Sequence, residues 1–499
     1  MNAAVRDPQT VRFMLDGELR CVSGVPPTTT VLEYLRNCAG RTGTKEGCAE
    51  GDCGACTVVL GELSADGRQI EYRAINSCIR FLPSIDGAEL ITVESLPAAD
   101  GTLHPVQRAL IDCHGSQCGF CTPGFVMSLF ALYLRRNAPT RQEVLTTLAG
   151  NLCRCTGYRP IIDAGERMGS YPEPAHWSRA DAQAAGRADQ LRALRRTRAA
   201  DTLRTPGFHA PRTLDELAAA LAAAPDSLLL AGGTDVALWV TKQLRELPPI
   251  IYLGNVVELR DIRRNAAGLW IGAAVTLTDA WSALLEDYPA LAEQAGRFAS
   301  PPVCNSGTLC GNIANGSPIG DSMPALIALG AVLELRNEAH QRRIPLERLY
   351  LGYQRKALAP GEFIVAVLVP PPRPARLFAS YKVAKRIDQD ISAVCGAFAV
   401  ELTGERIVSA RLAYGGMAAI PMRAGAAEQA LTGQPWSEAT IAAATAALAS
   451  DFTPLTDLRG SGEYRLRAAG SMLRRFYLQH AQAGYGVRLT DPSAQQEFA

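Results

Sequence analysis

Several features that mark common classes of protein are missing from this chain of 499 residues. No segment approaches the ~18 apolar residues that a membrane-spanning helix requires. The first residues, MNAAVRDPQTVRF, are charged and lack the apolar segment that directs secretion. The 50 lysines and arginines balance 49 aspartates and glutamates, so charge gives no reason to expect nucleic acid or a membrane as a partner. These absences predict a cytoplasmic protein.

Two further absences concern the architecture of the chain. No G-x-G-x-x-G segment follows a predicted strand, which argues against a Rossmann fold. No internal repeat with a short fixed period is present. A length of 499 residues exceeds one ordinary hydrophobic core and predicts three or four domains.

Cysteine, in contrast, is abundant, with 14 residues in a chain that we expect in a reducing compartment. Eight of them form two sets in the sequence. The first set is Cys48, Cys53, Cys56 and Cys78, and the second is Cys118, Cys121, Cys153 and Cys155. The others are predicted to be small buried hydrophobic residues: Cys21, Cys38, Cys113, Cys304, Cys310 and Cys395.

The first cysteine set has the spacing C-x4-C-x2-C, followed by 21 residues before Cys78. This is the spacing of plant-type [2Fe–2S] ferredoxins, in which four thiolates converge on two irons. Gly47, Gly51 and Gly54 allow the loop to approach the sulfides closely and to adopt positive φ. The alternative is a structural zinc ion, although zinc sites favour two paired knuckles rather than three ligands on one loop.

The second cysteine set has the spacing C-x2-C, 31 residues, then C-x-C, within GSQCGFCTPG and NLCRCTGYRP. Each pair precedes a predicted helix start, so two positive helix N-termini would face a negatively charged cluster. Zinc is again the alternative, but C-x-C is tighter than an ordinary zinc knuckle. Beside a ferredoxin-type loop, this spacing favours a second iron–sulfur cluster.

The segments around the two sets predict different local folds. From Val11 to about Val93 we expect short strands around one helix, with a hairpin across Asp16-Gly17. Residues 29–37 predict a short helix capped by Thr29 or Thr30.

From about Leu96 to Ser170 the hydrophobic periodicity is helical and predicts a compact four-helix arrangement. Thr140 and Glu143 predict a capping box, and Pro123 and Pro160 stand where a first helical turn tolerates proline.

Residues 171–205 are rich in alanine and arginine, with seven arginines and no lysine. A nucleic-acid patch is one interpretation of this composition. Because no aromatic platform accompanies the charge, we expect a solvated linker with some helix instead. Beyond Pro206 the pattern is mixed α and β again, with a last α+β region from about Tyr381 to Tyr485.

Two glycine-rich segments are candidates for holding a nucleotide cofactor. LLLAGGTD, residues 228–235, ends a predicted strand in glycines whose amides could hold a pyrophosphate. SGTLCGNIANGSPIGD, residues 306–321, has the Gly, Asn and Ser content of a backbone that wraps a phosphate closely. Both patterns are also compatible with ordinary turns.

The succession of plant-type loop, GSQCGFCTPGF, NLCRCTGYRP and these glycine-rich segments resembles the molybdenum hydroxylases, over about residues 10–485. Within that family it is most similar to the iron–sulfur/FAD subunits of bacterial xanthine dehydrogenases. The resemblance implies an α+β multidomain protein: a β-grasp [2Fe–2S] ferredoxin domain, a four-helix second [2Fe–2S] domain, and a two-part FAD-binding region of the vanillyl-alcohol-oxidase type with an α+β C-terminal domain. The expected bounds are 9–95, 96–170, a linker at 171–205, 206–375 and 376–490.

The resemblance also implies which residues hold the cofactors. The eight cysteines of the two sets would ligate the clusters, and Gln117 and Cys155 resemble residues that contact the pterin of a molybdenum cofactor. The residues assigned to FAD are Leu228, Leu229, Leu230, Ala231, Gly232, Gly233, Thr234, Asp235, Phe298, Gly307, Thr308, Leu309, Cys310, Gly311, Asp321, Ile364 and Lys382. Phe298 would lie beside the isoalloxazine ring.

The activity implied by the resemblance is electron transfer in oxidation of hypoxanthine or xanthine to urate. Electrons would pass from a molybdenum centre through both clusters to FAD and then to NAD+. We expect the substrate site on a molybdopterin-binding large subunit, in a heterotetramer of two small and two large subunits, and no catalytic residue on this chain. The alternatives are a subunit for aldehyde, carbon monoxide or aromatic acyl-CoA substrates, a freestanding NADH-oxidising flavoprotein, and a zinc-stabilised scaffold protein. IANGSPIGD and KRIDQDIS favour xanthine dehydrogenase among them.

Overall fold

The computed structural model describes residues 7–64, 66–338, 340–387 and 389–481. The chain divides into two compact units, residues 1–260 with 299–307 and residues 261–298 with 308–499. Of the helices in the described part of the chain, none combines the length and the apolar character that crossing a bilayer requires.

The N-terminal domain is a mixed sheet with strand order β2-β1-β5-β3-β4. Its strands are β1 (Val11–Leu15), β2 (Glu18–Val22), β3 (Thr57–Leu63), β4 (Ile70–Asn76) and β5 (Glu89–Ile91). The predicted hairpin is confirmed, with positive φ at Asp16 and Gly17 and Leu15 opposite Glu18. Thr30 caps helix α1 (Val31–Glu33) through a capping box, and the chain continues as a π-helical turn over Tyr34–Cys38.

The second domain is helical, as its periodicity predicts. Its helices are α2 (Pro105–Asp112), α3 (Thr122–Arg135), α4 (Arg141–Leu148) and α5 (Arg159–Arg167). The capping box of Thr140 and Glu143 is confirmed, and Pro123 and Pro160 lie in first helical turns. The middle of α3, from Gly124 to Tyr133, is buried throughout. This central helix therefore provides much of the core of the domain.

The prediction of a solvated linker is wrong for much of residues 171–205. Helices α6 (Arg179–Ala182) and α7 (Ala185–Leu194) form there, so the expected helix is confirmed. However, Trp177 is only 1% exposed, and Leu191 and Leu194 join the hydrophobic core of the first two domains. The helical periodicity is weak because α7 buries only a narrow stripe formed by Ala188, Leu191 and Leu194.

Residues 204–252 form a smaller sheet with strand order β6-β7-β9-β8. Its elements are β6 (Arg204–Thr205), β7 (Phe208–His209), α8 (Leu214–Ala223), β8 (Leu228–Leu230), α9 (Val236–Thr241) and β9 (Ile250–Tyr252). Strands β8 and β9 are parallel and lie beside the core of the ferredoxin domain. The loop between β8 and α9 contains the AGGTD segment.

The second unit contains a sheet with strand order β10-β11-β16-β12-β13. Its first elements are β10 (Ile262–Asn265), β11 (Gly268–Gly272), α10 (Leu277–Asp287) and α11 (Ala292–Gly296). Helix α12 (Pro301–Cys304) belongs to the first unit. The second unit continues with α13 (Leu309–Asn315), α14 (Ser322–Leu329), β12 (Val332–Asn337), β13 (His340–Pro345), the pair β14 (Tyr350–Gly352) and β15 (Arg355–Lys356), and β16 (Phe363–Val369).

The C-terminal region is an antiparallel sheet with strand order β17-β18-β19-β20, covered by helices. Its elements are β17 (Arg376–Val383), β18 (Val394–Thr403), β19 (Arg406–Gly415), β20 (Met422–Arg423), α15 (Gly425–Leu431), α16 (Glu438–Asp451) and α17 (Gly462–Ala481). Residues 482–490 of the expected last domain lie outside the described residues.

Candidate cofactor sites

The first thiol set lies on one loop and one strand end of the ferredoxin domain. Cys48 and Cys53 stand on the loop before β3, and Cys56 and Cys78 are buried at 2% exposure each. The sulfurs of Cys56 and Cys78 are 3.2 Å apart. Hydrogen bonds from the Cys53 and Cys78 thiols lower the pKa of Cys48, so these sulfurs also lie in contact. The structure therefore brings the four predicted ligands together.

Backbone amides surround the sulfur of Cys48. The N–H groups of Glu50 and Asp52 donate to it at 3.4 Å, and that of Cys53 donates at 3.3 Å. Gly54 has positive φ, and a side chain there would overlap the carbonyl oxygen of Gly150. A loop that directs amides at a sulfur suits a thiolate ligand, because the amides stabilise its negative charge.

The second thiol set lies at the starts of α3 and α5. Cys121 is the N-cap residue of α3, and the N–H of Cys153 donates to the hydroxyl of Tyr158, the N-cap residue of α5. Cys118 and Cys155 are exposed. A hydrogen bond from the Phe120 amide lowers the pKa of Cys118, and the Cys155 thiol adds a smaller effect. Burial raises the pKa of Cys121 to about 12, and the Cys153 thiol adds a smaller effect. The second set thus also gathers in one place.

Thiol–thiol contacts link the cysteines within each set. Across the described residues, no three Cys, His, Asp or Glu side chains gather as ligands of a single metal ion. Cys56 contacts Cys78, Cys118 contacts Cys155 and Cys121 contacts Cys153, while Cys48 contacts both Cys53 and Cys78. A [2Fe–2S] cluster takes two thiolates on each iron, so thiols in contact with amides directed at them fit that group.

The two thiol loops are joined by residues that the motifs did not reveal. The N–H of Leu152 donates to the carbonyl of Cys53 at 2.9 Å. The Asn151 amide donates to the carbonyl of Gly54 at 3.1 Å and accepts from the Ser128 hydroxyl at 2.6 Å. Asn151 immediately precedes Leu152-Cys153 within NLCRC, which is the signal that could have marked it. We call residues 53–54 and 150–152 the loop junction.

The flavin candidates of the first unit form strand β8 and the loop between β8 and α9, together with Gly307. Gly233 has positive φ, and a side chain at Gly232 would overlap the carbonyl of Ser306, the residue before Gly307. The two glycine segments within this unit therefore approach each other closely, which only glycine at position 232 permits. The buried Ser300 hydroxyl, at 2% residue exposure, has no hydrogen-bond partner in the described structure.

Among the flavin candidates of the second unit, Asp321 and Lys382 form a buried ion pair. The carboxylate lies 2.8 Å from the Lys382 Nζ and accepts from the Ser392 hydroxyl at 2.6 Å. Lys382 also donates to the carbonyl of Arg297 at 3.2 Å. Gln294 donates to the main-chain oxygen of Asp321, while its own Oε1 is buried with no partner among the described residues. Such an orphaned acceptor beside a buried pair fits a site for a polar cofactor.

The remaining candidates have more ordinary surroundings. Phe298 packs its ring against Trp281 at 5.4 Å, and Ile364 lies in β16 opposite Leu335. Segment 306–321 contains the helix α13, which Thr308 caps by accepting from the Gly311 N–H, so it is not an open loop throughout. Leu309 and Cys310 of that helix are buried. Asp388 of KRIDQDIS lies outside the described residues.

The prediction that the isolated cysteines are buried is wrong for two of them. Cys304, Cys310 and Cys395 are buried, and Cys113 is partly buried. Cys21 and Cys38 are exposed, because β2 is an edge strand with its residues largely toward solvent and Cys38 ends the π-helical turn.

Comparison with protein-family models divides the chain into the same kinds of domain. Residues 13–82 match the 2Fe-2S iron-sulfur cluster binding domain, and residues 92–166 match the [2Fe-2S] binding domain. Residues 202–372 match the FAD binding domain in molybdopterin dehydrogenase. Residues 379–480 match the CO dehydrogenase flavoprotein C-terminal domain. The chain thus combines two iron–sulfur domains with a flavin-binding region, and the predicted fold class is confirmed.

Individual relatives agree with these domain matches. Xanthine dehydrogenase of Emericella nidulans is 32% identical over 94% of this chain and 38% of its own length. Xanthine dehydrogenase 1 of Arabidopsis thaliana is 31% identical over 90% of this chain and 38% of its own length. The chain therefore spans 38% of the length of each of these relatives.

Solved structures give the same family. Carbon monoxide dehydrogenase from Hydrogenophaga pseudoflava aligns at 31% identity and a TM-score of 0.51, over 54% of this chain and 94% of that one. Quinoline 2-oxidoreductase from Pseudomonas putida 86 aligns at 30% identity and a TM-score of 0.50, over 56% of this chain and 98% of that one. This chain belongs to the molybdenum hydroxylase family and carries its iron–sulfur and flavin domains.

Proposed function

We propose that this chain is the electron-transfer part of a xanthine dehydrogenase. In this proposal it takes electrons from a molybdenum centre on a molybdopterin-binding partner subunit and delivers them to NAD+. When bound, two [2Fe–2S] clusters would carry single electrons, and FAD would combine them for hydride transfer. The role of the chain's own residues is to hold these groups in sequence and close together.

The observation that carries the proposal is the direct connection between the two thiol loops. One hydrogen bond, from Leu152 N–H to Cys53 carbonyl, joins a first-set ligand to the residue before Cys153. The side chain of Asn151 fixes this contact from a position that is 3% exposed. A short connection of this kind, held by a buried side chain, suits electron transfer between two sites, because it fixes their separation.

A second connection leads from the first thiol loop toward the AGGTD segment. Helix α9 begins directly after Asp235, and its last residue, Thr241, donates to the carbonyl of Ala49 at 2.7 Å. The next residue, Lys242, donates to the carbonyl of Cys48 at 2.8 Å. One six-residue helix thus separates the candidate flavin loop from the first thiol loop, which supports FAD as the acceptor from that cluster.

The second thiol set supports a macromolecular partner. Its two exposed cysteines stand beside exposed apolar side chains, with Phe120 at 49%, Leu152 at 43% and Tyr158 at 36% exposure. Exposed apolar groups beside a redox site suit a protein surface that covers them. We propose that the molybdopterin-binding subunit covers this face, with Gln117 and Cys155 toward the pterin, in a complex of two small and two large subunits.

The solved relatives keep other substrates open as rivals. Carbon monoxide dehydrogenase and quinoline 2-oxidoreductase align with 54% and 56% of this chain, respectively, so the electron-transfer domains alone do not select a purine. The two sequence relatives described above are xanthine dehydrogenases that align with 90% or more of this chain, which is why we favour xanthine and hypoxanthine.

The test begins with the purified chain. We expect about four iron atoms and one FAD per chain, with zinc near zero, and two electron paramagnetic resonance signals after reduction. Stoichiometric zinc would refute the ligand assignment. The chain should then be coexpressed with a molybdopterin-binding xanthine dehydrogenase subunit and assayed with xanthine, quinoline, an aldehyde and carbon monoxide, using NAD+ and oxygen as acceptors.

The variant Cys155→Ser separates the two ends of the electron route. It should abolish xanthine-dependent NAD+ reduction, because a hydroxyl is a poor iron ligand, while NADH-dependent dye reduction continues through the flavin. Equal loss of both activities in folded, flavin-replete protein would contradict the proposed route. Exposed Cys21 is a matched control, and Cys21→Ser should leave both activities unchanged.

A further inference from the structure

Asn76 has a buried side chain with unused hydrogen-bonding capacity. It is the last residue of β4, two positions before Cys78, and is 1% exposed. Neither its Nδ2 nor its Oδ1 has a hydrogen-bond partner within the part of the chain that the structure describes. Native proteins rarely leave such a group unpaired in their interior without a reason.

The surroundings of Asn76 are the first thiol set. In the antiparallel pairing of β3 with β4, Asn76 lies opposite Thr57, the residue after Cys56. Its Oδ1 is 3.9 Å from the position that a Cβ on Gly51 would occupy, so the amide reaches the glycine-rich loop.

A second asparagine in the same region shows what an ordinary structural role looks like. Asn151 is 3% exposed, but its amide is engaged with Gly54, Thr57 and Ser128. Asn76 has the same chemistry and comparable burial without any of these partners. The difference indicates that the partner of Asn76 is the group held by the thiols.

We propose that the Asn76 Nδ2 donates a hydrogen bond to a sulfur of the cluster held by Cys48, Cys53, Cys56 and Cys78, and so raises the reduction potential of that cluster. This inference depends on the ligand set in the proposed function. Reduction adds negative charge to the sulfurs, so a neutral donor stabilises the reduced form more than the oxidised form. Asn76 would then favour reduction of the first-set cluster, whose loop contacts the end of helix α9.

The test is a redox titration of both clusters in the holoprotein, in which electron paramagnetic resonance measures how much of each cluster is reduced. Asn76→Leu keeps the approximate size of the side chain and removes the donor. We expect about a tenfold smaller equilibrium constant for reduction of the first-set cluster, which is about 59 mV for one electron. The second-set cluster is the internal control and should keep its potential.

A second variant protects the test against failure of cluster assembly. Asn76→Asp is nearly isosteric and replaces the donor with a negative charge, so its shift should have the same sign and be larger. An unchanged potential in an iron-loaded variant, or equal shifts in both clusters, would overturn the inference. Failure of both variants to bind iron would also overturn it, in favour of a purely structural role. Zinc in place of iron in the unmodified protein would instead refute the proposed ligand set.

Discussion

Replacing the side chain of Asn151 tests whether the two thiol loops behave as one rigid element. The perturbation is Asn151→Ala, which leaves the backbone of the loop junction in place. It removes the hydrogen bonds to the carbonyl of Gly54 at 3.1 Å and to the hydroxyl of Thr57 at 3.3 Å. It also removes the acceptor of the Ser128 hydroxyl, a residue with 0% exposure.

The magnitude follows from these three contacts. Each hydrogen bond contributes roughly 1 kcal/mol net, and the buried Ser128 hydroxyl would be left unpaired. We therefore expect a loss of about 3 kcal/mol in the free energy of opening the junction. Since a factor of ten corresponds to about 1.4 kcal/mol, the population of the open junction should rise on the order of 100-fold.

Hydrogen exchange at the Leu152 amide measures this opening directly, because that N–H donates to Cys53 across the junction. Exchange should accelerate on the order of 100-fold in Asn151→Ala. Asn137→Ala, at an exposed asparagine of the same unit, is the matched control and should change exchange little. A double-mutant cycle with Ser128→Ala should give a coupling of about 1 kcal/mol. Unchanged exchange at Leu152, or zero coupling, would refute the reasoning.

Three further predictions concern other parts of the molecule. Lys382→Met leaves the Asp321 carboxylate buried without its cation, so it should lower the unfolding free energy by about 3–5 kcal/mol and lower the FAD content. Adding Asp321→Leu should recover most of the lost stability. If thermal melts show the same loss of stability in the single and double variants, the prediction is contradicted. Lys242→Met removes a cation beside Cys48 and should lower the reduction potential of the first-set cluster alone, by up to about 59 mV. Thr241→Val, which removes an uncharged donor from the same loop, is the control. Redox titration of both clusters measures the effect. Burial lowers the pKa of His104 from 6.5 to about 4, so between these pH values the unfolded chain binds more protons than the folded one. The unfolding free energy should therefore rise by ~3 kcal/mol from about pH 4 to 6.5. His104→Gln should make the unfolding free energy less dependent on pH in this range, and the same pH dependence in both proteins would refute the prediction.

Local patterns predicted the fold well where neighbours in sequence decide the structure. The hairpin at Asp16-Gly17, the capping box at Thr140 and the helix starts at Pro123 and Pro160 are all confirmed. Each depends on interactions within about four residues. The burial of Trp177 could not be predicted in this way, because its contacts include Tyr72 and Phe130, which are distant in sequence.

The candidate site shows the same division. Cysteine spacing is a local signal, and the structure gathers both predicted sets. The residues that connect the sets are not visible locally, since Asn151 reaches Gly54 across 97 positions and Lys242 reaches Cys48 across 194. Asparagine and lysine are common on surfaces, so their types alone give no reason to select these two. Only the fold identifies them.

The arginine-rich stretch gains a physical explanation from these long-range contacts. Arg196 forms two hydrogen bonds with the Asp86 carboxylate, at 2.7 and 3.0 Å, and donates to the carbonyls of Thr10 and Asp201 at 2.6 and 2.8 Å. Arg187 reaches Glu89 at 2.9 Å. A guanidinium offers five donors in a planar fork, whereas an ammonium offers three from one point. A lysine could not make the paired contacts of Arg196, so arginine at this position suits attachment of the segment to the ferredoxin domain. A composition that suggested nucleic acid therefore serves, at these two positions, to hold the segment against the first iron–sulfur domain.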